Sequence, residues 1–347
     1  MFTTNPKYLA GKLRRLEMYI EKGQENRIKR LVRQSNAEYT KGHELKPAKP
    51  MLIRAGIAGG LPFNSLTTDV VVGCLPESMA CYGMCFAAIS SWENGIDFGK
   101  RVDNQLDETV FVTDLNALPH SQKYVRCGWN SDPSWNWSVS TRMAELAREA
   151  GLLMIFITKA FRKMPDDIIQ RLVAAKAEVR VSVSALDTNE QLRLRLGVIE
   201  HYRRAGGIVI PIVLTTFFKD IVLMERQNNI VEWMVENDYP AAENSLRFPH
   251  NAKVSELVDP HNVRPLEKGD EFWSGRLYPE KLSFPTTTTI PDSYQGIDTG
   301  YLSDLQLDEI NKLFIDPVKT HQEIMQSKLP LSSPKMCGVS DTRRLTE

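Results

Sequence analysis

Short apolar runs alternate with longer amphipathic stretches through the middle of the chain. The runs at 152–157 (LLMIFI) and 207–214 (GIVIPIVL) are apolar almost throughout, and 178–185 (EVRVSVSA) alternates with period two. Shorter β-rich runs fall at 68–73 (TDVVVG), at 124–129 (YVRCGW) and, more weakly, at 245–248. Helical patterns occupy 138–150, 165–175, 189–205 and 221–237 between them. Apolar strands separated by helices of this length predict parallel strands covered by helices. The expected fold is therefore α/β, a partial (βα)6 TIM-like barrel. Helix 189–205 shows the local logic. Asp187 and Thr188 offer N-cap oxygens, Glu190 or Gln191 falls in the first turn, and Gly206–Gly207 stops the helix.

The flanks follow other patterns. Residues 6–35 read as a charged helix with a narrow stripe of Leu9, Leu13, Leu16, Ile20 and Ile28. Pro47, Pro50, Pro62 and a Gly-Gly pair make 36–66 an extended connector. Beyond 251 the rhythm fades into Pro-rich loops, a Thr run at 286–289 and helical patterns near 303–313 and 317–326. The expected organisation is an N-terminal helical arm and connector (1–66), the partial barrel (67–251) and a C-terminal cap packed on it (252–347).

Composition excludes more than it selects. The 347 residues suffice for one large domain or two small ones, and the formal net charge is zero. The first 50 residues carry twelve lysines and arginines against five glutamates. Nucleic-acid contact through 1–35 is one expectation, and a solvated helix is the alternative, because glutamates interrupt the basic face. No run reaches the ~18 apolar residues of a membrane span, and the first residues lack a secretory signal pattern. A cytoplasmic protein without membrane contact is expected. The six histidines show no His-x-x-x-His pair, and neither a phosphate-binding glycine loop nor a Gly-x-Ser-x-Gly elbow occurs.

Chemistry concentrates in the cysteines. Of five, Cys74, Cys81 and Cys85 crowd into a Cys-x6-Cys-x3-Cys loop directly after the run 68–73. In a reducing compartment such crowding points to metal or redox chemistry. Barrels of this type carry their sites at the carboxyl ends of strands. Three thiolates on one loop can hold three irons of a 4Fe–4S cluster and leave the fourth iron open. The alternatives are a binding protein stabilised by structural zinc, with Cys127 or a histidine as fourth ligand and residues 1–35 contacting nucleic acid, an iron–sulfur protein that only transfers electrons, and unliganded buried thiols.

Gly73-Cys74, Pro76, Cys81 and Cys85-Phe86-Ala87 resemble the cluster loop of radical-SAM-like proteins of the phage and bacterial type. The commonest radical-SAM signature, Cys-x3-Cys-x2-Cys with an aromatic before the last cysteine, differs at both spacings, and Met84 stands in the aromatic's place. The resemblance implies an enzyme in which S-adenosylmethionine (SAM) chelates the open iron and is cleaved by one electron to a 5′-deoxyadenosyl radical. It also implies an external electron donor of ferredoxin or flavodoxin type and a substrate the sequence does not name.

Further roles follow from that resemblance and the strand order. The loop after the second strand would meet the SAM amino group, which makes Asn130, Ser131 and Asp132 candidates; an aromatic-anchored, capped turn is the alternative. Lys159 would pair with a carboxylate at the end of the third strand, or else reach to solvent. Ser182 and Ser184 share a face of the fourth strand and would bind the SAM carboxylate or ribose, or simply fill the barrel. Thr215, Thr216, Arg247 and Arg101 are weaker candidates of the same kind. Trp129, Trp135 and Trp137 offer stacking surfaces or loop anchors, the aromatic segment 272–278 is a candidate lid, and Cys337 is a mobile tail thiol, a hydrogen-atom donor or an extra cluster ligand.

Overall fold

The computed structural model describes residues 14, 15, 17–57, 66–74, 85–117, 124–128, 131–249, 252–265 and 271–284. Five strands in chain order, β5 (Tyr124–Cys127), β6 (Leu153–Thr158), β7 (Glu178–Ser184), β8 (Ile208–Thr215) and β9 (Ala242–Ser245), pair in parallel. They curl into a half-barrel. On the β5 edge β2 (Leu66–Thr68) adds in parallel, and β1 (Gly56–Ile57) pairs antiparallel with β2.

α3 (Glu108–Asn116) precedes β5 in the chain, and the crossovers between the later strands are helical. α4 (Trp137–Glu149), α5 (Asp166–Ala174), α6 (Asn189–Arg204) and α7 (Ile221–Glu236) join successive strands. They lie within two residues of the periods read from the sequence. Local chemistry explains the agreement. α6 begins with a full capping box, Thr188 and Gln191 bonding each other's backbone, and α4 and α7 are capped by Asn136 and Asp220.

Register separates the two faces of the sheet. Val125, Cys127, Met154, Phe156, Val179, Val181, Val183, Val209 and Val213 pack outward with helix residues such as Met143, Leu172, Leu196 and Ile230 in the main core. The concave face carries Tyr124, Arg126, Ile155, Glu178, Arg180, Ser182 and Ser184 in matching register. A buried ion pair between Arg180 and Glu178 lies towards the amino ends of the strands. Burial and the nearby Arg180 push the Arg126 guanidinium down to about 10.

Two expected strands are corrected. The run 68–73 is not one strand: β2 ends at Thr68, and β3 (Val71–Val72) pairs antiparallel with β4 (Val102–Asp103) in a separate ribbon. Asn104 causes the break, its Nδ2 donating to Asp69 O at 3.0 Å and its N–H to Val70 O at 3.0 Å. Cys74 therefore follows a side ribbon instead of ending a barrel strand. The run 245–248 straddles two elements, the end of β9 and β10 (Arg247–Pro249). β10 belongs to an antiparallel sheet with β12 (Glu271–Trp273) and β11 (Arg264–Pro265).

The arm and the described part of the expected cap meet over the carboxyl ends of β7, β8 and β9. In the arm, residues 14, 15 and 17 are helical, the helix is interrupted at 18–21, and α1 (Lys22–Thr40) then runs past the expected end at 35 and buries Ile28, Leu31 and Val32 against Leu186, Phe218, Leu246, Phe248 and Val254. Arg226 is 1% exposed and ties this region together, donating to Met18 O, Ala185 O and Asp187 O at 2.6–2.7 Å. Among the described residues no helix is long and apolar enough to cross a membrane. The helical patterns 303–313 and 317–326 lie outside the described residues.

Candidate metal centre

With α1 and the small antiparallel sheet over the β7–β9 side, the chemistry-bearing side chains gather over β2, β5 and β6. Gly73, at φ +80°, turns the chain out of the side ribbon. A Cβ there would come within 2.7 Å of Phe98 O, so only glycine fits. Cys74 N–H then donates to that same carbonyl at 2.9 Å, which fixes the cysteine backbone. Cys85 is the N-cap residue of α2 (Phe86–Glu93). Cys74, 6% exposed, and the half-buried Cys85 pack in one small apolar cluster with Ala87, Ala88, Trp92, Phe98, Trp135 and Phe161. Cys81 lies outside the described residues.

Trp135 and Phe161 bring the barrel loops to these sulfurs. Trp135 follows β5 and donates its indole Nε1–H to Cys74 Sγ at 3.4 Å. Phe161 follows β6 and stacks on Trp135, with centroids 5.1 Å apart and planes inclined by 12°. The guanidinium groups of Arg162 and Arg101 lie 5.1 and 5.5 Å from the Trp135 ring. Arg101 also pairs with Asp103 at 3.2 Å.

Beneath the aromatics the loops are locked by a buried polar network. Asp132, 4% exposed, accepts from Ser134 N at 2.9 Å, Ser134 Oγ at 2.5 Å, Thr158 Oγ1 at 2.7 Å and Lys159 N at 2.6 Å. Three donors meet Oδ1 and one meets Oδ2, from both loops, so Asp132 works as a latch between the β5 and β6 loops. Ser134 Oγ in turn accepts from Phe161 N at 2.9 Å. The latch needs close strand ends. Gly128, at φ +105°, passes so near β6 that an added Cβ would sit 2.1 Å from Ile157 O.

The network continues to β7. Arg195, 1% exposed, donates from Nε to Lys159 O at 2.5 Å and pairs with the equally buried Asp187. Its guanidinium also lies 5.7 Å from the Phe161 ring. Asp187 Oδ2 accepts from Ser184 N at 3.0 Å, and Ser184 Oγ accepts from Leu186 N at 3.1 Å.

The sequence-derived candidates thus divide. Ser131 donates to Asp69 Oδ1 at 3.0 Å, linking the β5 loop to the end of β2. Lys159 is half-buried at the end of β6, its backbone held at both ends. Ser182 is 8% exposed on the concave face, whereas Ser184 is spent on the turn after β7. Thr215 and Thr216 bond Glu243 and Ser274, and Arg247 is exposed on β10. The segment 272–278 is fastened down, Leu277 and Tyr278 donating their N–H groups to Glu243 at 2.6 and 3.0 Å. Asn130, Trp129 and Cys337 lie outside the described residues. Trp137 anchors a loop, its Nε1 donating to Arg162 O at 3.2 Å.

Sequence reasoning missed Phe161, Arg162 and Arg195. Phe161 and Arg162 follow Lys159 within three residues, which is the one local signal; nothing local marks Arg195 in the middle of α6.

The donors can be tested against the metals considered. Cys127 is fully buried on the helix-facing side of β5. Burial first, then the carboxylates of Asp69 and Asp132, push its thiol well above the usual range. It is a core residue and a poor fourth ligand for zinc. Among the described residues no three His, Cys, Asp or Glu side chains group as a metal site. Cys74 and Cys85 supply two soft thiol donors in an apolar cluster with an N–H aimed at one sulfur, donors of the kind that both zinc and iron–sulfur clusters take. Compared with models of protein families and with curated proteins, the chain shows no match to either.

Proposed function

We propose that the chain is an enzyme of the radical-SAM type, in which Cys74, Cys81 and Cys85 hold a 4Fe–4S cluster at the mouth of a partial (βα)6 TIM-like barrel. One observation carries the reading: Cys74 and Cys85 share an apolar cluster beside the β5 and β6 loops, with the Trp135 indole N–H directed at Cys74 Sγ. When bound, the cluster and SAM supply one-electron reductive cleavage of a sulfonium. The residues of the chain do the rest. Phe98, Trp92, Ala87 and Ala88 shield the Cys74 and Cys85 sulfurs from water. Lys159, Ser131 and Ser182 would orient a carboxylate or ribose. The Asp132 and Arg195 networks hold the loops that carry Ser131 and Lys159. The reductant is an external donor of ferredoxin or flavodoxin type, and the reaction is a radical transformation of a substrate still to be found.

Anaerobic reconstitution with ferrous iron and sulfide tests the reading. Broad thiolate-to-iron absorbance and about four irons per chain are expected. Addition of SAM and dithionite should then yield 5′-deoxyadenosine. Alanine at Cys74, Cys81 or Cys85 should abolish both signals. Stoichiometric zinc that iron does not displace, with no cluster formed, would reject the enzyme.

A further inference from the structure

The hydrogen bond on Cys74 reaches further than ligation. We propose that Trp135 is a positioning residue that sets the reduction potential of the metal group through its indole N–H, an inference that rests on the iron–sulfur reading above.

Three features make the contact a built one. The Trp135 backbone is fixed, since its N–H donates to Asp132 O at 3.2 Å within the turn Pro133–Asn136, which the Asp132 carboxylate caps. The ring is fixed too, stacked on Phe161, whose own N–H is tied to Ser134 Oγ at 2.9 Å. The donor is aimed: Nε1 lies 3.4 Å from a sulfur that is 6% exposed. Water therefore competes poorly for either partner. An indole has one N–H and no acceptor, so this orientation commits its only polar group to Cys74.

The consequence is electrostatic. Reduction adds negative charge that spreads over the thiolate ligands, and an N–H donor on one of them stabilises the reduced state more than the oxidised one. Arg162, near the same ring, acts in the same direction at longer range, whereas the charge of Arg101 is offset by Asp103. Trp135 thus raises the potential, and its loss makes the group harder to reduce.

The test compares the full chain with Trp135→Phe, which keeps an aromatic ring against Phe161 and removes the N–H. A second variant carries β-(3-benzothienyl)alanine at position 135, the shape of tryptophan with sulfur in place of N–H, and guards against a packing defect. Each protein is reconstituted anaerobically and titrated against solution potential by visible absorbance. At the midpoint of the unmodified protein, the ratio of reduced to oxidised form should fall by about tenfold in both variants, a displacement of ~59 mV for a one-electron couple. In ¹⁵N-tryptophan-labelled protein, the indole N–H peak that Trp135→Phe deletes should be the indole most broadened by cluster loading. Unchanged midpoints in both loaded variants overturn the inference and leave the iron–sulfur reading intact. A wild-type chain that takes up no iron and sulfide overturns that reading and this inference with it.

Discussion

Alanine at position 128 separates the close approach of β5 to β6 from ordinary backbone strain. Gly128 and Gly151 both have positive φ, +105° and +78°, so an L side chain is strained at either. That strain alone costs about 1–2 kcal/mol. They differ in surroundings. A Cβ at 151 meets nothing within 4 Å, whereas at 128 it would lie 2.1 Å from Ile157 O and 3.1 Å from Pro133 Cδ. Restoring an ordinary carbon–oxygen contact requires β5 and β6 to part by more than about 1 Å. Parting them stretches the bonds from Asp132 to Thr158 and Lys159, at 2.7 and 2.6 Å. A further ~2–3 kcal/mol follows from overpacking and the weakened buried carboxylate. In urea unfolding, Gly151→Ala should lose about 1–2 kcal/mol and Gly128→Ala about 3–5 kcal/mol. Equal losses, agreeing within about 0.5 kcal/mol, would refute the argument that backbone proximity of these strands builds the site.

Other consequences follow from the same geometry. Arg195→Met leaves Asp187 buried without its cation, so stability should drop by about 3–5 kcal/mol in urea unfolding, while adding Asp187→Leu should recover part of the loss. Burial raises the Cys127 thiol, so the unfolded chain releases its proton first and native stability should decline as pH rises above about 8.5. Stability measured from pH 7 to 10 should show that decline attenuated in Cys127→Val. Glu145 has the opposite sign. Arg171, then Arg142, hold its carboxyl below the usual range, so its contribution is present above about pH 4.3 and lost as pH falls through the lower native value. The pair is partly exposed, so Glu145→Gln should cost only about 0.3–1 kcal/mol at pH 7 and less in high salt.

The alternation of strand and helix from 124 to 236 was legible in the sequence because its signals are local. An apolar run such as 152–157 is buried on both faces whichever neighbours it finds. A capping box such as Thr188 with Gln191 closes within four residues. The crowding of three cysteines was equally plain. What no local pattern could show is which groups share a place. Asn104 breaks the expected strand 68–73 from thirty-five residues away. Cys127 sits on the helix-facing side because parallel register with Phe156 sends it there. Asp132 became a latch because donors from β6 reach its carboxylate, and Arg195 came to the site because α6 packs where Lys159 O and Asp187 face it. Periodicity and caps are properties of neighbours along the chain, and the sequence alone determines them. The surroundings of a buried charge or a sulfur depend on distant segments whose pairing only tertiary packing decides.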